Sequence, residues 1–151
     1  MLLLFFFWSN AMKKIIEYLR NKIYDERKGI RSIYRKSSFD IFHFKVRKRE
    51  MLMNSFMIIA LCEQLINEIK ALGDDCKETE IEDLIFYKYL KLDEMLSETE
   101  DDHFTTHRTA GVCYGFMREM IKIFKWRYSD VWDVAEERDY ILEKEGTLQQ
   151  L

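Results

Sequence analysis

The stretch Arg47–Leu72, RKREMLMNSFMIIALCEQLINEIKAL, decides the fold that the sequence predicts. Its apolar residues recur at steps of three and four, which is the spacing of one face of a helix. Its first half is apolar on nearly every side, and a helix without a polar side is normally buried all round. We therefore expect the 47–72 helix to lie at the centre of a bundle.

The rest of the chain is patterned as further helices. Apolar spacing predicts them at about 12–36, 79–97, 102–127 and 129–145. Thr79 and Glu82 are predicted to form a capping box at the start of the 79–97 helix. Gly29 is a point where the first helix could break, and the stretch 39–46 alternates partly like a strand. The 151 residues include 5 glycines and no proline, which is too few for a turn-rich sheet protein. The sequence predicts an all-α bundle of four to five helices, mostly antiparallel, in a single domain at 12–151.

The N-terminal residues 1–11 are interpreted separately from this domain. Ser9-Asn10-Ala11 directly precedes Met12 and matches the remnant of a cleaved expression tag, so we treat 1–11 as tag-derived. The apolar run before it lacks the basic segment of a signal peptide, and its eight residues are too few to cross a bilayer, which takes roughly 20.

The three cysteines form no CxxC pair, which favours a reducing compartment. We expect a cytoplasmic protein with no membrane partner, in which Cys62 and Cys113 are buried thiols.

Charge is divided unevenly along the chain. Residues 12–49 carry 13 Lys and Arg against 4 Asp and Glu, a net charge of +9, whereas residues 50–151 carry 11 against 23, a net charge of −12. The simpler interpretation is that the basic part packs beside acidic helices of the same molecule. The alternative is that the basic first helix binds nucleic acid, although no nucleic-acid motif accompanies it.

The stretch Asp102–Gly115, DHFTTHRTAGVCYG, holds two of the three histidines and raises the question of a metal site. Two histidines four residues apart can bind one ion from a helix, and helical di-metal proteins use Glu-x-x-His pairs. The sequence therefore offers an alternative function, the binding of a transition metal cofactor. The candidate ligands are Glu26, His43, Glu100, His103 and His107.

The same stretch loosely resembles the histidine phosphotransfer domains over seven residues, 107–113. In those four-helix bundles an exposed histidine is followed four residues later by glycine and six later by a small residue. The resemblance implies His107 as the phosphoryl acceptor. The chain departs from the pattern at Ala110, where those domains favour lysine, so Arg108 or Arg118 would have to stabilise the phosphoryl charge.

Two glycines mark a different use of this helix. Gly111 and Gly115 fall on its polar face, where each glycine costs up to about 1 kcal/mol relative to alanine. Such glycines favour the close approach of another helix, from the same chain or from a twin chain. Aromatic residues near 126–132 form a second candidate contact surface. The predicted partner-binding residues are His107, Gly111, Gly115, Arg118, Trp126 and Trp132.

No catalytic motif is present, since the sequence contains no GxGxxG, P-loop, HExxH or GxSxG pattern. The sequence favours a protein that is not an enzyme and has no cofactor. We expect a regulatory or accessory helical protein that binds a protein partner, including itself as a homodimer.

Overall fold

The computed structural model of the chain describes residues 8–35, 41–98 and 104–129, and describes side chains at 8–34, 48–94 and 108–129. These residues form four α-helices and no strand: α1 Asn10–Arg35, α2 Ile41–Ala71, α3 Glu78–Glu98 and α4 Phe104–Ile123. The predicted all-helical class is confirmed. The helix predicted at 129–145 and residues 1–7 lie outside the described residues.

The chain divides into two compact units, Met1–Ile81 and Glu82–Leu151, with the boundary in the first turn of α3. The first unit holds α1 and α2, and the second holds most of α3 together with α4. The single domain predicted for residues 12–151 stays a prediction.

The helix boundaries agree with the sequence at most positions. α1 runs unbroken through Gly29, where an added Cβ would meet no atom within 4 Å. A glycine in an exposed helix costs about 1 kcal/mol, which is too little to interrupt a helix whose other face is packed. α2 begins at Ile41, so the ambiguous stretch 39–46 is helical from that residue onward.

The predicted capping box of α3 is wrong. The helix begins one residue early, at Glu78, and the carbonyl of Lys77 accepts the amides of Glu80 and Ile81 at 3.0 and 3.3 Å. The Glu82 carboxylate instead accepts a hydrogen bond from the amide of Arg127, with an N–O distance of 2.9 Å. Glu82 is therefore used to anchor the chain after α4.

The first unit is built on an antiparallel pair, α1 and α2, whose faces pack together. At one end of the pair the Ser9 amide donates to the Asp74 carbonyl at 2.6 Å. Further along, the Arg27 guanidinium lies 3.4 Å from the Glu63 carboxylate. At the other end the Lys48 ammonium lies 5.0 Å from the centre of the Tyr34 ring. Residue numbers therefore increase along α1 in the direction in which they decrease along α2, as in an antiparallel pair.

Aliphatic side chains and two cysteines form the core of this unit. The spacing of three and four along each helix places them on one face, which the neighbouring helix covers. The buried residues are Met12, Ile15, Ile16, Leu19, Ile23, Ile33, Leu61, Cys62, Leu65, Ile66, Ile69, Cys76 and Ile81.

Residues just before Met12 belong to this folded unit. The Ser9 hydroxyl accepts the Met12 amide at 3.1 Å, which caps the first turn of α1. The ring of Trp8 lies 5.6 Å from the Arg20 guanidinium and 5.4 Å from the Lys70 ammonium. Whatever the origin of residues 8–11, they fix the start of α1, and the origin itself stays a prediction.

The expectation that the 47–72 helix is buried on all sides is wrong. Met51 is 50% exposed and Phe56 is 53% exposed, and Leu52, Ile58 and Ile59 are partly exposed. The reason is geometric: α1 covers only one face of α2 in the first unit. An apolar helix is thus left with apolar surface in contact with solvent.

In the second unit, α3 and α4 contribute an aromatic core. The rings of Tyr89 and Tyr114 stack with centroids 4.6 Å apart, and their hydroxyls are hydrogen-bonded at 2.7 Å. The Phe86 ring packs edge-on to Tyr89 at 6.1 Å. Apolar spacing predicts an inward stripe on α4 made of Ala110, Cys113, Met117, Met120, Ile121 and Phe124. All six are buried except Phe124, which is partly exposed.

The end of α4 is a Schellman turn built without glycine. The Trp126 amide donates to the Ile121 carbonyl at 3.1 Å, and the Lys125 amide donates to the Lys122 carbonyl at 3.2 Å. This pattern requires a left-handed residue after the helix, and Lys125 takes that position with φ 53°. A side chain at such a φ costs roughly 1–2 kcal/mol.

We predict that Lys125→Gly stabilises the protein by about 0.5–1 kcal/mol. Glycine removes the steric cost of the positive φ, and the greater flexibility of glycine in the unfolded chain offsets part of that gain. Urea unfolding of the full chain measures the gain. Lys125→Ala is the matched control, since it removes the charge and keeps the Cβ. Equal stabilities for the glycine and alanine variants would contradict this account of the turn.

Candidate protein-binding groove

An open apolar groove of about 900 Å³ runs between α1 and α2 in the first unit. Its floor and walls come from one face of each helix, because the lining residues follow helical spacing on both. The lining residues are Arg20, Ile23, Tyr24, Arg27, Ile30 and Arg31 of α1 and Phe56, Ile59, Glu63 and Ile66 of α2.

The apolar residues of the groove differ in depth. Ile23 and Ile66 are buried and belong to the seam between the two helices. Tyr24 is 61% exposed and Phe56 is 53% exposed, so two large aromatic side chains border the groove without being covered. Exposed aromatic residues beside an aliphatic floor are typical of surfaces that anchor a partner.

The charged residues of the groove are mostly basic. Among the described lining residues, Arg20, Arg27 and Arg31 stand against a single acid, Glu63. The Arg27–Glu63 pair is more than half exposed on both sides, so water screens it and it contributes little to stability. Arg20 also lies over the Trp8 ring. The groove therefore carries a positive potential at its edge.

The chemistry of these side chains suits binding. Among the described residues, the lining contains aliphatic and aromatic groups, guanidinium groups and one carboxylate, and no histidine, cysteine or pair of acids. Acid–base or nucleophilic catalysis needs such groups within hydrogen-bonding range of one another. An apolar floor with a cationic edge is instead suited to an amphipathic ligand.

Sequence reasoning missed this groove. The signals were present, since the apolar excess of α2 and the basic charge of α1 were both recognised. The first was assigned to burial and the second to packing against acidic helices. The apolar and charge patterns do not specify the register of α1 against α2. That register places Tyr24, Arg31 and Phe56 in the lining of one groove.

The glycine face of α4 forms a second, smaller concavity, of about 410 Å³. Gly115, Arg118, Glu119, Lys122 and Ile123 line it. Gly115 is exposed, and an added Cβ would meet no atom within 4 Å. Across the described part of the chain, no helix packs closely on Gly115. The Arg118 guanidinium lies 3.4 Å from the Tyr89 hydroxyl.

The other predicted partner-binding residues are placed as follows. Trp126 is 6% exposed and stacks on Phe124 with centroids 5.0 Å apart, so its ring is part of the core at the corner after α4. Gly111 lies partly exposed in α4. His107 also lies in α4, but its side chain is outside the described set, as is the whole of Trp132.

The predicted metal ligands are not brought together among the described side chains. Glu26 is partly buried and pairs with Lys22 of the same helix at 3.7 Å. His43 lies in α2 with its side chain outside the description, and Glu100 and His103 lie wholly outside it. Among the described residues, no group of three or more His, Cys, Asp or Glu could hold a metal ion.

The helix α2 also satisfies the length and composition of a membrane span. The segment Lys48–Ala71 has a mean hydropathy of 1.2, and 28% of the window is buried inside the structure. Core helices of soluble proteins satisfy the same measure, so this finding is weak evidence for a membrane segment. It restates in another form that α2 carries apolar surface beyond what α1 covers.

All three cysteines are free and buried, which confirms the prediction for Cys62 and Cys113 and extends it to Cys76. Burial raises the pKa of the Cys113 thiol above 9.0. Burial also raises the pKa of Cys76, against the lowering effect of a hydrogen bond with Ser9. Both thiols are thus kept neutral, and the nucleophilic thiolate is disfavoured.

No family model, no curated protein and no solved structure matches this chain.

We predict that replacing Cys113 with alanine costs less stability at pH 10 than at pH 7. A raised thiol pKa stabilises the folded state fully below 9.0, and this contribution is lost as the pH rises, because the unfolded thiol ionises first. The loss on Cys113→Ala should be about 1 kcal/mol at pH 7, as for a typical buried substitution. Urea unfolding at both pH values measures it, and a difference that does not change with pH would oppose the assignment.

Proposed function

We propose that this chain is a regulatory or accessory protein that acts by binding another protein, and that the groove between α1 and α2 is the docking site. In this proposal the chain is a cytoplasmic protein of four or five mostly antiparallel helices. The partner presents an amphipathic helix. The single observation that carries the proposal is the exposed pair Tyr24 and Phe56 beside an apolar floor and a basic edge.

The dimensions of the groove support a helical ligand. Its lining on α1 extends from Arg20 to Arg31, which is about 17 Å at a rise of 1.5 Å per residue. That length accommodates about three turns of a helix, whose residues at i, i+3, i+4 and i+7 would meet the floor. A third helix laid against two packed helices is also the common way in which helical surfaces are completed.

The charge of the groove supports an acidic ligand. Of the four charged residues described in its lining, three are arginines. Arg31 makes no ion pair with the described residues, and Arg27 has only an exposed partner. Carboxylates along the flanks of a bound helix would form bidentate pairs with these guanidinium groups.

A second candidate, nucleic-acid binding through the basic first helix, has less support. The acidic neighbours Glu78 and Glu63 pair with Lys14 and Arg27 at 3.1 and 3.4 Å, which supports packing of basic against acidic residues within one chain. The groove itself is apolar at its floor. Binding of a transition metal by the predicted histidine and carboxylate ligands stays an alternative, and elemental analysis of purified protein tests it directly.

We predict that a designed amphipathic helical peptide with glutamate flanks binds the chain, and that the same peptide with lysine flanks binds at least tenfold more weakly. The common apolar stripe gives both peptides the same hydrophobic contact, so the difference reports the basic edge. Fluorescence anisotropy at low protein concentration and at two salt concentrations measures both affinities. The difference between the peptides should shrink at high salt because the charges are screened.

The matched variants for this test are Phe56→Ser, which removes an exposed groove anchor, and Met51→Ser, which removes an equally exposed apolar side chain outside the groove lining. Phe56→Ser should weaken binding about tenfold, and Met51→Ser should leave it unchanged. Equal binding of both peptides, or equal effects of both variants, would oppose the proposal.

A further inference from the structure

We infer that the groove binds the acidic segment 129–145 of a second copy of this chain. The inference rests on the proposed function of the groove, and it names the ligand. It follows from matching the charges that line the groove to the charges of the sequence that extends beyond α4.

The segment has the composition that the groove requires. Residues 129–145, SDVWDVAEERDYILEKE, contain seven acids and two basic residues, a net charge of −5. The sequence predicts a helix here, starting at the cap Ser129-Asp130. The described lining of the groove carries three arginines and one acid. The two surfaces are thus opposite in charge, which favours association and orients it.

The pattern of the segment also matches the groove in detail. On a helix of 100° per residue, Val131, Val134, Ile141 and Leu142 share one face, and acids occupy both flanks. Arg138 and Glu145 both fall within this apolar face. Along α2 the described lining places Glu63 between Ile59 and Ile66, with its exposed carboxylate 3.4 Å from the Arg27 guanidinium. The pairing that we infer therefore places Arg138 of one copy against Glu63 of the other.

Reciprocal docking limits the assembly to two chains. Each copy carries both the groove and the segment 129–145, so two copies that exchange segments satisfy both sites and form a closed dimer. The ligand is then at the same concentration as the receptor. Dimer formation should depend on protein concentration and weaken with salt.

The experiment is a charge swap measured by light scattering on the full chain. Wild-type protein should show a dimer of twice 18.4 kDa that dissociates on dilution. Arg138→Glu and Glu63→Arg should each weaken the dimer about tenfold, and the double variant should restore it, because the pair is re-formed with reversed polarity. Restoration is a result that simple loss of folding does not produce, and circular dichroism of each variant verifies its helical content.

Matched controls separate the groove from general charge effects. Arg31→Glu reverses a charge on the groove edge, and Lys28→Glu makes the same change on an exposed part of α1 outside the lining. Only Arg31→Glu should weaken the dimer, by about tenfold. Equal effects would attribute association to net charge and overturn the inference.

Two further outcomes decide between this inference and the function on which it rests. If wild-type protein stays monomeric at every concentration while the designed acidic peptide binds, the groove is a docking site and the segment is not its ligand. If neither the peptide nor a second copy binds, both proposals fail. A third outcome is a monomer whose wild-type form does not bind the peptide but whose Arg138→Glu variant does. That result would mean that the segment occupies the groove of its own chain, and it would also overturn association between copies.

Discussion

The apolar seam between α1 and α2 is the interaction on which the rest of the first unit depends. α1 has 26 residues and α2 has 31, and α1 covers only one face of α2. The seam fixes the antiparallel register, which is then reported by the Ser9–Asp74 hydrogen bond at one end and the Lys48–Tyr34 contact at the other. Two packed cylinders leave a furrow on each side, so a groove follows from the geometry.

The composition of α2 decides the character of that groove. A helix with a normal polar side would have lined the furrow with charged residues, but α2 contributes Phe56, Ile59 and Ile66. α1 is strongly amphipathic and contributes arginines where its polar face meets the furrow. The apolar floor and the basic edge thus come from different helices. This division is the physical basis for proposing an acidic amphipathic ligand.

The sequence predicted the helices well and the surface poorly. Apolar spacing located α1 to α4 because each helix carries apolar residues at helical spacing, and of the stripe predicted on α4 only Phe124 is partly exposed. It failed at Thr79 and Glu82, because a more distant residue, Arg127, takes the carboxylate that the local motif needed. Apolar spacing wrongly predicted that Phe56 is buried. The spacing shows which residues are apolar, but it does not show whether a neighbouring helix covers them.

The most direct test of the antiparallel packing of α1 and α2 is the distance between the start of α1 and the start of α3, which follows α2. Nitroxide labels at Lys14→Cys and Glu78→Cys, in a background without the three native thiols, replace an exposed ion pair that joins α1 to the start of α3 at 3.1 Å. Pulsed electron resonance should give one narrow distance below about 20 Å, since the two side chains adjoin and the label arms add roughly a helix radius each. The 31 residues of α2 span about 46 Å, so a broad or single distance of that order would mean that α1 does not fold back along α2, and would contradict the account.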